Sequence, residues 1–208
     1  MNVLSRILAI SDIHGHVHAL QTLLMYANYQ SDEDELFFVG DYIDKGPNSE
    51  GTLKTVEHYV QNGAYAIIGN HEKHALDDIA NGGQKWVKWQ NFLQGLPLYI
   101  ERKPFLFVHA GIRTGIPLYE QQINDLLTIR DPFLQTPILE DMTVVFGHTP
   151  TDRLGVSAGS LWQQPKKIGI DTGAGQQQYL SLVDLTSSLQ YRISLVNQLV
   201  EEVEVFPF

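Results

Sequence analysis

The sequence predicts an α/β fold in which two mixed sheets pack together with helices outside. The first half of the chain alternates short apolar runs with segments whose leucines and valines recur at helical spacing. The second half is richer in strands, which Gly, Thr and Ser turns separate. The 208 residues are about the length of one domain, and no linker is long enough to divide them. We therefore expect a single domain over residues 1–208.

The predicted elements follow an order that is typical of a parallel sheet. Alternation of strand and helix in the first half favours parallel strands whose polar residues gather at their carboxyl ends. After residue 160 strands predominate, and the alternating tail Val203-Glu204-Val205 indicates an edge strand. The predicted strands lie at 6–10, 35–39, 64–68, 105–108, 144–146, 168–170, 179–185 and 189–195, and the predicted helices at 17–29, 52–60 and 72–94.

Composition excludes several classes of protein. With 43% hydrophobic and 18% charged residues and no long apolar run, we expect neither a transmembrane, a collagenous nor a wholly disordered protein. The absence of cysteine excludes disulfides, thiolate metal ligands and a thiol nucleophile. The apolar run at residues 1–10 is short and lacks a small-residue cleavage site, so we expect no signal peptide and a cytoplasmic location.

The net charge of −10 argues against an electrostatic surface for nucleic acid. Because the 14 lysines and arginines are scattered, we expect neither duplex nucleic acid nor a membrane as a partner. An anionic substrate would need local positive charge, which bound metal cations can supply. The composition does not indicate an oligomeric state.

Five predicted strands end in clusters of polar residues that can bind metals. Asp12, Asp41 and Asn70 stand 29 residues apart, as expected if successive βα units return the chain to one sheet edge. Glycines in the clusters allow tight turns and close backbone approach. One such cluster is weak evidence, but five in order indicate a shared site. The clusters are Asp12-Ile13-His14, Gly40-Asp41-Tyr42-Ile43-Asp44, Gly69-Asn70-His71-Glu72, His109-Ala110-Gly111 and Gly147-His148-Thr149.

The ligand types predict a pair of divalent metal ions. Carboxylate, amide oxygen and imidazole without sulfur suit manganese, with iron or zinc as alternatives. Asp41 is the natural bridging ligand, since a carboxylate can give one oxygen to each of two metals. We expect one metal on Asp12, His14 and Asp41, and a second on Asp41, Asn70, His109 and His148.

The ordered clusters resemble the metallophosphoesterase superfamily, and in particular the PPP-type serine/threonine protein phosphatases in their bacterial and bacteriophage lambda form. The resemblance extends to three further segments: Asn81-Gly82-Gly83, Thr128-Ile129-Arg130 and Ile170-Asp171-Thr172-Gly173. It implies the metallophosphatase fold, with two packed mixed β-sheets flanked by helices. It also implies hydrolysis of phosphoserine or phosphothreonine, and of phosphotyrosine as a further option, in phosphoproteins or phosphopeptides.

The resemblance further implies roles for individual residues. A metal-bridging hydroxide would attack phosphorus in line, and His71 would be the general acid for the leaving alkoxide, with Asp44 holding its ring. Arg130 and Lys45 would bind the phosphate oxygens.

Two positions depart from the protein-phosphatase pattern. Lys45 stands where the family has an arginine, which replaces a planar bidentate fork with a point charge. Ile68 stands where protein phosphatases usually have an arginine before Gly-Asn-His-Glu. An aliphatic residue there also resembles the symmetrical diadenosine tetraphosphate hydrolases, so hydrolysis of a dinucleoside polyphosphate is the alternative function. A third hypothesis is a metal-binding scaffold that captures phosphopeptides without hydrolysing them. The presence of His71 and Asp44 argues against this hypothesis.

Simpler structural roles are expected for the remaining candidates. Trp86, Trp89 and Phe92 are predicted core residues, although Lys85 and Lys88 beside them leave open a substrate groove. Arg113 is expected not to contact phosphate. The remaining histidines that lack a neighbouring strand end and glycine are expected on helix faces or the surface: His16, His18, His58 and His74.

Overall fold

The computed structural model describes residues 5–196 and 202–208, so residues 1–4 of the N-terminal apolar run lie outside the described residues. The strands are β1 Ile7–Ile10, β2 Glu35–Phe38, β3 Tyr65–Ala66, β4 Tyr99–Arg102, β5 Phe105–Val108, β6 Thr143–Phe146, β7 Trp162–Gln164, β8 Lys167–Gly169, β9 Tyr179–Asp184, β10 Leu189–Ser194 and β11 Val203–Pro207. The helices are α1 Val17–Tyr26, α2 Ser49–Gln61, α3 Asn70–Ala80, α4 Gln90–Gly95 and α5 Ile123–Thr128.

Two mixed sheets form the framework, as the sequence predicts. The first has the order β11-β10-β9-β1-β2-β3, and its strands β1, β2 and β3 run parallel. The second has the order β4-β5-β6-β8-β7, with β5, β6 and β8 parallel and an antiparallel strand at each edge. The predicted edge strand in the tail is confirmed as β11, which pairs with β10.

Alternate residues of each central strand enter different cores, because successive side chains of a strand point to opposite faces. Leu8 and Ile10 pack beneath the helices on the outer face of the first sheet. Ile7 and Ala9 face the second sheet. The stacked rings of Phe37 and Phe107, with centroids 4.0 Å apart, join the two sheets at this inner layer. This layer fixes the relative position of the strand ends that carry the polar clusters.

The predicted helix at 72–94 is wrong in its middle. Helix α3 ends at Ala80, and Gly82 adopts φ +93°, a left-handed conformation that ends the helix. A short 3₁₀ helix at Val87–Trp89 then leads into α4. Trp86 and Trp89 are buried in the outer core of the first sheet, which confirms their predicted packing role.

Other differences concern short elements. The predicted strand at 64–68 pairs only over Tyr65–Ala66. The edge strands β4 and β7 were not predicted, because neither contains a continuous apolar run. The six-residue helix α5 was also not predicted, since it carries fewer than two helical periods. None of the helices described is long and apolar enough to span a bilayer.

Candidate metal centre

The predicted ligands converge where the parallel strands of both sheets end. β1, β2 and β3 precede Asp12, Asp41 and Asn70, while β5 and β6 precede His109 and His148. Several of these residues adopt backbone conformations that L residues rarely use. Asp12, His14, Asp41, Asp44, Lys45 and His148 all have φ between 46° and 64°. Such left-handed residues cluster at functional sites, where the surrounding fold holds them in place.

Asp41 lies at the centre and presents one oxygen to each side. Its Oδ1 is 3.4 Å from His109 Nε2, whereas its Oδ2 is 3.7 Å from His14 Nε2. The carboxylate is buried, and the backbone N–H of His71 donates to its Oδ1 at 3.0 Å. This is the arrangement that a carboxylate shared by two cations requires.

The second predicted ligand set gathers around the amide oxygen of Asn70. His109 Nε2 is 3.0 Å from Asn70 Oδ1, and His148 Nδ1 is 2.9 Å from the same atom. Three side chains here each offer one ligand atom, and these atoms lie within 4.8 Å of one another: Asp41, His109 and His148.

The first predicted set is formed by Asp12, His14 and Asp41. His14 Nε2 lies 3.9 Å from Asp12 Oδ1. Ser11 Oγ and the backbone N–H of His148 both donate to Asp12 Oδ2, which leaves Oδ1 free for a ligand. Lys45 Nζ lies 3.0 Å from His14 Nε2, so a cationic group already sits beside this set.

Hydrogen bonds at the far side of two rings determine which nitrogen faces the centre. His14 Nδ1 donates to the carbonyl of Ile43 at 2.8 Å, and His109 Nδ1 donates to the carbonyl of Val39 at 3.0 Å. In a neutral ring the Nε2 atom then carries a lone pair. This is the orientation that backbone carbonyls commonly impose on metal-binding histidines.

Burial shifts the pKa values in the direction that favours cation binding. Desolvation raises the pKa of Asp12 and Asp41 well above the usual range, and neighbouring carboxylates add to both shifts. Desolvation also lowers the pKa of His14 to about 3 and of His148 to about 4, and it lowers that of His109 strongly. A bound cation would stabilise the buried carboxylates in their ionised form, and it would bind the imidazoles in the neutral form that burial already favours.

The donor set therefore fits divalent metals. Lone pairs of three atoms face one another at close range: His109 Nε2, Asn70 Oδ1 and Asp41 Oδ1. These lone pairs repel one another until a cation lies between them. The oxygen and nitrogen ligands are those that manganese, iron and zinc accept, and they do not select among the three.

His71 lies beside the first set and is oriented by Asp44. His71 Nδ1 donates to Asp44 Oδ2 at 2.8 Å, and His71 Nε2 lies 3.9 Å from Asp41 Oδ2. The ligand atoms of His14, Asp41 and His71 also lie within 4.8 Å of one another. The side chain of His71 is 20% exposed, however, whereas that of His14 is 2% exposed. His71 can therefore meet a substrate directly.

Glu72 has a structural role that the sequence analysis did not assign. This fully buried side chain accepts from the backbone N–H groups of Asp41 and Tyr42, both at 2.8 Å, and from that of Gly69 at 3.0 Å. It therefore joins the turn after β2 to the N-terminus of α3. The predicted close approach of glycine is also observed, since a Cβ at Gly69 would lie 2.2 Å from Asp41 Oδ1.

Two further residues near the centre were not predicted as site residues. Asp171 is buried after β8, where desolvation raises its pKa to about 6, and its charge contributes to the shift of Asp12. Lys85 Nζ lies 3.6 Å from Asp44 Oδ1. The position of Asp171 after the predicted strand at 168–170 could have indicated its role, whereas the sequence marked Lys85 only as a lysine beside a predicted core tryptophan.

The predicted phosphate-binding cations differ in their surroundings. Arg130 is exposed just beyond α5. The pKa of His148 is lowered mainly by the burial of its own ring, and the charge of Arg130 is the next largest cause. Lys45 contributes to the same shift. Arg113 instead forms a two-pronged pair with Asp125, with Nε at 2.5 Å and Nη2 at 3.0 Å, which agrees with its expected absence from a phosphate site.

A family model described as Calcineurin-like phosphoesterase matches residues 5–170. The chain belongs to this family. The matched region contains every predicted metal ligand, together with His71 and Asp44. The superfamily resemblance is thereby confirmed, and so is the metallophosphatase fold.

Curated relatives of this phosphoesterase carry the name "Bis(5'-nucleosyl)-tetraphosphatase, symmetrical". One from Actinobacillus pleuropneumoniae serotype 5b (strain L20) is 35% identical over 121 alignment positions, which cover 50% of this chain and 44% of the relative. Another from Ralstonia nicotianae is 36% identical over 120 positions, covering 50% of this chain and 41% of the relative. The matches thus span less than half the length of these relatives.

Solved structures share the fold of this phosphoesterase. A structure described as a candidate diadenosine tetraphosphatase has a TM-score of 0.75 at 23% identity, covering 99% of this chain and 95% of its own. A cold-active protein-tyrosine phosphatase of a Shewanella species has a TM-score of 0.62 at 17% identity, covering 97% and 80%. At these identities the similarity establishes the fold alone. The PPP protein-phosphatase subtype, which was the first expectation, is therefore not confirmed.

Proposed function

We propose that the chain is a divalent-metal-dependent phosphoester hydrolase and that its substrate is a dinucleoside polyphosphate such as diadenosine tetraphosphate. The convergence of buried lone pairs around Asp41 supports the metal-dependent reaction. The observation that carries the substrate class is the name of the curated relatives, symmetrical tetraphosphatases at 31–36% identity. They favour the alternative function over hydrolysis of phosphoproteins.

The metals would be held by the two predicted ligand sets. Asp12, His14 and Asp41 form one set, and Asp41 joins Asn70, His109 and His148 in the other. Two divalent cations bound there would supply positive charge for a phosphate and the acidity that activates a water molecule. The protein contributes buried ligands whose far sides are already hydrogen-bonded, so little reorganisation accompanies binding.

His71 is the proposed general acid. Asp44 accepts from Nδ1, which directs Nε2 toward the centre, where a leaving oxygen can receive its proton. Because His71 follows the proposed ligand Asn70 at the start of α3, the helix positions the acid and a metal ligand together.

Lys45 and Arg130 are proposed to bind the oxygens of the scissile phosphate. The ammonium of Lys45 lies 3.0 Å from His14 Nε2, at the position where a cation would bind the ring. We therefore expect it to turn toward the substrate when a metal binds. The charge of Arg130 acts on His148, one of the proposed ligands. Each would place positive charge near the oxygens on which negative charge develops.

Ile68 is consistent with a substrate other than a phosphoprotein. Its side chain is 5% exposed, and its backbone N–H donates to the carbonyl of Pro97 at 2.9 Å. The position that carries an arginine in protein phosphatases is therefore filled here by an apolar side chain. Ile68 cannot supply that arginine's charge to a phosphate monoester.

Side-by-side hydrolysis of diadenosine tetraphosphate and a phosphoserine peptide by one manganese-loaded preparation tests the proposal. We expect faster cleavage of the tetraphosphate, with ADP as the product, and loss of activity in a chelated sample of the same protein. Faster cleavage of the peptide would return the function to protein phosphatases. Activity that persists after chelation would contradict the metal-dependent reaction.

A further inference from the structure

Lys85, one of the two lysines that leave open a substrate groove in the sequence, lies next to the carboxylate that orients the proposed general acid. Lys85 Nζ is 3.6 Å from Asp44 Oδ1, while the other oxygen of Asp44 accepts the hydrogen bond from His71. The side chain of Lys85 is 65% exposed, so its ammonium is open to solvent beside the acid. Lys85 and His71 therefore contact different oxygens of the same carboxylate.

The segment that carries Lys85 is firmly anchored although the lysine itself is exposed. Trp86 is only 5% exposed and packs in the outer core of the first sheet. The ammonium of Lys85 lies 4.3 Å from the centroid of the Trp86 ring, a distance at which a cation is attracted to the ring face. The fold thus places this charge beside Asp44 rather than leaving it on a freely moving loop.

Stability does not explain the position of Lys85. An exposed pair with 3.6 Å between nitrogen and oxygen contributes about 0–1 kcal/mol to folding. The ammonium can accordingly leave Asp44 for a stronger anion at small cost. A phosphate is such an anion, because it carries more charge and several acceptor oxygens.

The orientation of His71 indicates which part of a substrate Lys85 can meet. A leaving group that takes its proton from His71 Nε2 would lie next to His71, and the contacts from His71 to Asp44 and from Asp44 to Lys85 place the ammonium near that group. The leaving group of a phosphoserine peptide carries no phosphate, whereas that of a dinucleoside polyphosphate is itself a nucleoside phosphate. Building on the proposed function, we propose that Lys85 binds the phosphates of the departing nucleotide and so favours substrates with an anionic leaving group.

Lys88 provides a matched control on the same segment. It is also exposed and close to a tryptophan ring, with its Nζ 5.5 Å from the Trp89 centroid. Its ammonium pairs at 2.6 Å with Glu50 of α2 instead of with Asp44. Lys85→Gln and Lys88→Gln therefore remove the same charge from the same segment, one beside the acid and one away from it.

Equilibrium binding tests the proposal without turnover. Calorimetry on manganese-loaded protein would use diadenosine tetraphosphate with a methylene in place of the central bridging oxygen, and separately inorganic phosphate. We expect Lys85→Gln to weaken binding of the analogue by roughly ten- to a hundredfold, the scale of one hydrogen bond to a charged group, and to leave inorganic phosphate unaffected. Lys88→Gln should change neither. Equal affinity of wild type and Lys85→Gln for the analogue would overturn the proposal.

Steady-state kinetics separates substrate binding from an effect through Asp44. We expect Lys85→Gln to lower kcat/KM for diadenosine tetraphosphate about as much as it lowers affinity, while phenyl phosphate, whose leaving group has no phosphate but is basic enough to need the proton of His71, is cleaved as before. An equal loss on both substrates would show that Lys85 acts on the acid and would refute the assignment. If wild type failed to cleave the tetraphosphate, the proposed function would fall, and the binding comparison would still decide the role of Lys85.

Discussion

The imidazole of His71 shows how the environment of one residue sets its role. His14, His109 and His148 present a ring nitrogen to buried carboxylate or amide oxygens, as ligands do. His71 is more exposed, and Asp44 holds its Nδ1. The same residue type therefore serves two proposed purposes within a few ångströms, and the difference lies in what each ring contacts on its far side.

Substitution of His71 should separate chemistry from metal binding. We expect His71→Asn to lower kcat by roughly 10²- to 10⁴-fold, the usual contribution of a general acid, with the bound metal content unchanged. Turnover assays and elemental analysis of the purified protein would measure the two effects. His58→Asn, at an exposed position of α2, should retain full activity. Loss of metal in parallel with activity would identify His71 as a ligand instead.

At the scale of elements, Glu72 couples strand β2 to helix α3. One carboxylate oxygen accepts from the backbone N–H groups of Asp41 and Gly69, and the other accepts from those of Tyr42 and Ile43. The proposed bridging ligand, Asp41, thus depends on a residue three positions beyond Gly69, at the start of a different element. A carboxylate is needed because both of its oxygens accept hydrogen bonds.

Replacement of that carboxylate by an amide tests the coupling. In Glu72→Gln the NH₂ group would face two N–H donors, so buried donors would lose their acceptor at a cost of about 2 kcal/mol or more. We expect urea unfolding to show this destabilisation together with weaker manganese binding. Glu33→Gln, in an exposed turn, should alter neither property. Unchanged stability in Glu72→Gln would mean that the turn after β2 is held by other contacts.

At the scale of the whole molecule, the site exists because two sheets meet. The first sheet supplies Asp12, His14, Asp41 and Asn70, and the second supplies His109 and His148. The inner core of Phe37, Phe107 and their neighbours keeps the two groups of ligands in register. Folding therefore buries several histidines as neutral rings, which links stability to pH.

This linkage has a definite sign for His148 in the metal-free protein. Burial lowers its pKa to about 4, whereas an unfolded histidine titrates near 6.5. Between these values the unfolded chain binds the extra proton, so stability falls as the pH decreases from about 6.5 to 4. The raised pKa values of Asp12 and Asp41 act oppositely, since stability falls as the pH rises through their titration.

A variant isolates the histidine contribution from that of the carboxylates. The measured quantity is the free energy of unfolding of chelated wild type minus that of chelated His148→Gln. We expect this difference to decrease by up to about 1 kcal/mol for each pH unit by which the pH is lowered below 6.5. Urea unfolding at pH 7, 6 and 5 would measure the difference. A difference that stays constant over this range would show that His148 takes up no extra proton on unfolding.

Much of this architecture is predictable from local patterns. The runs that became β1, β2 and β5 have clear apolar character, and the polar clusters follow each of them directly in the chain. The conclusion that Asp12, Asp41 and Asn70 converge needs only the rule that parallel strands end at one sheet edge. The alternation of strand and helix and the choice of oxygen and nitrogen ligands were therefore accessible without coordinates.

Long-range contacts account for what the sequence alone does not determine. The capture of backbone N–H groups by Glu72 and the approach of Lys85 to Asp44 both depend on segments that meet only after folding. Local periodicity reports which face of an element is apolar and contains no information about such contacts. The sequence by itself thus determined the fold class and which polar residues follow the parallel strands. Only the tertiary structure decided which charges surround the acid, because the distance between remote side chains is a property of packing.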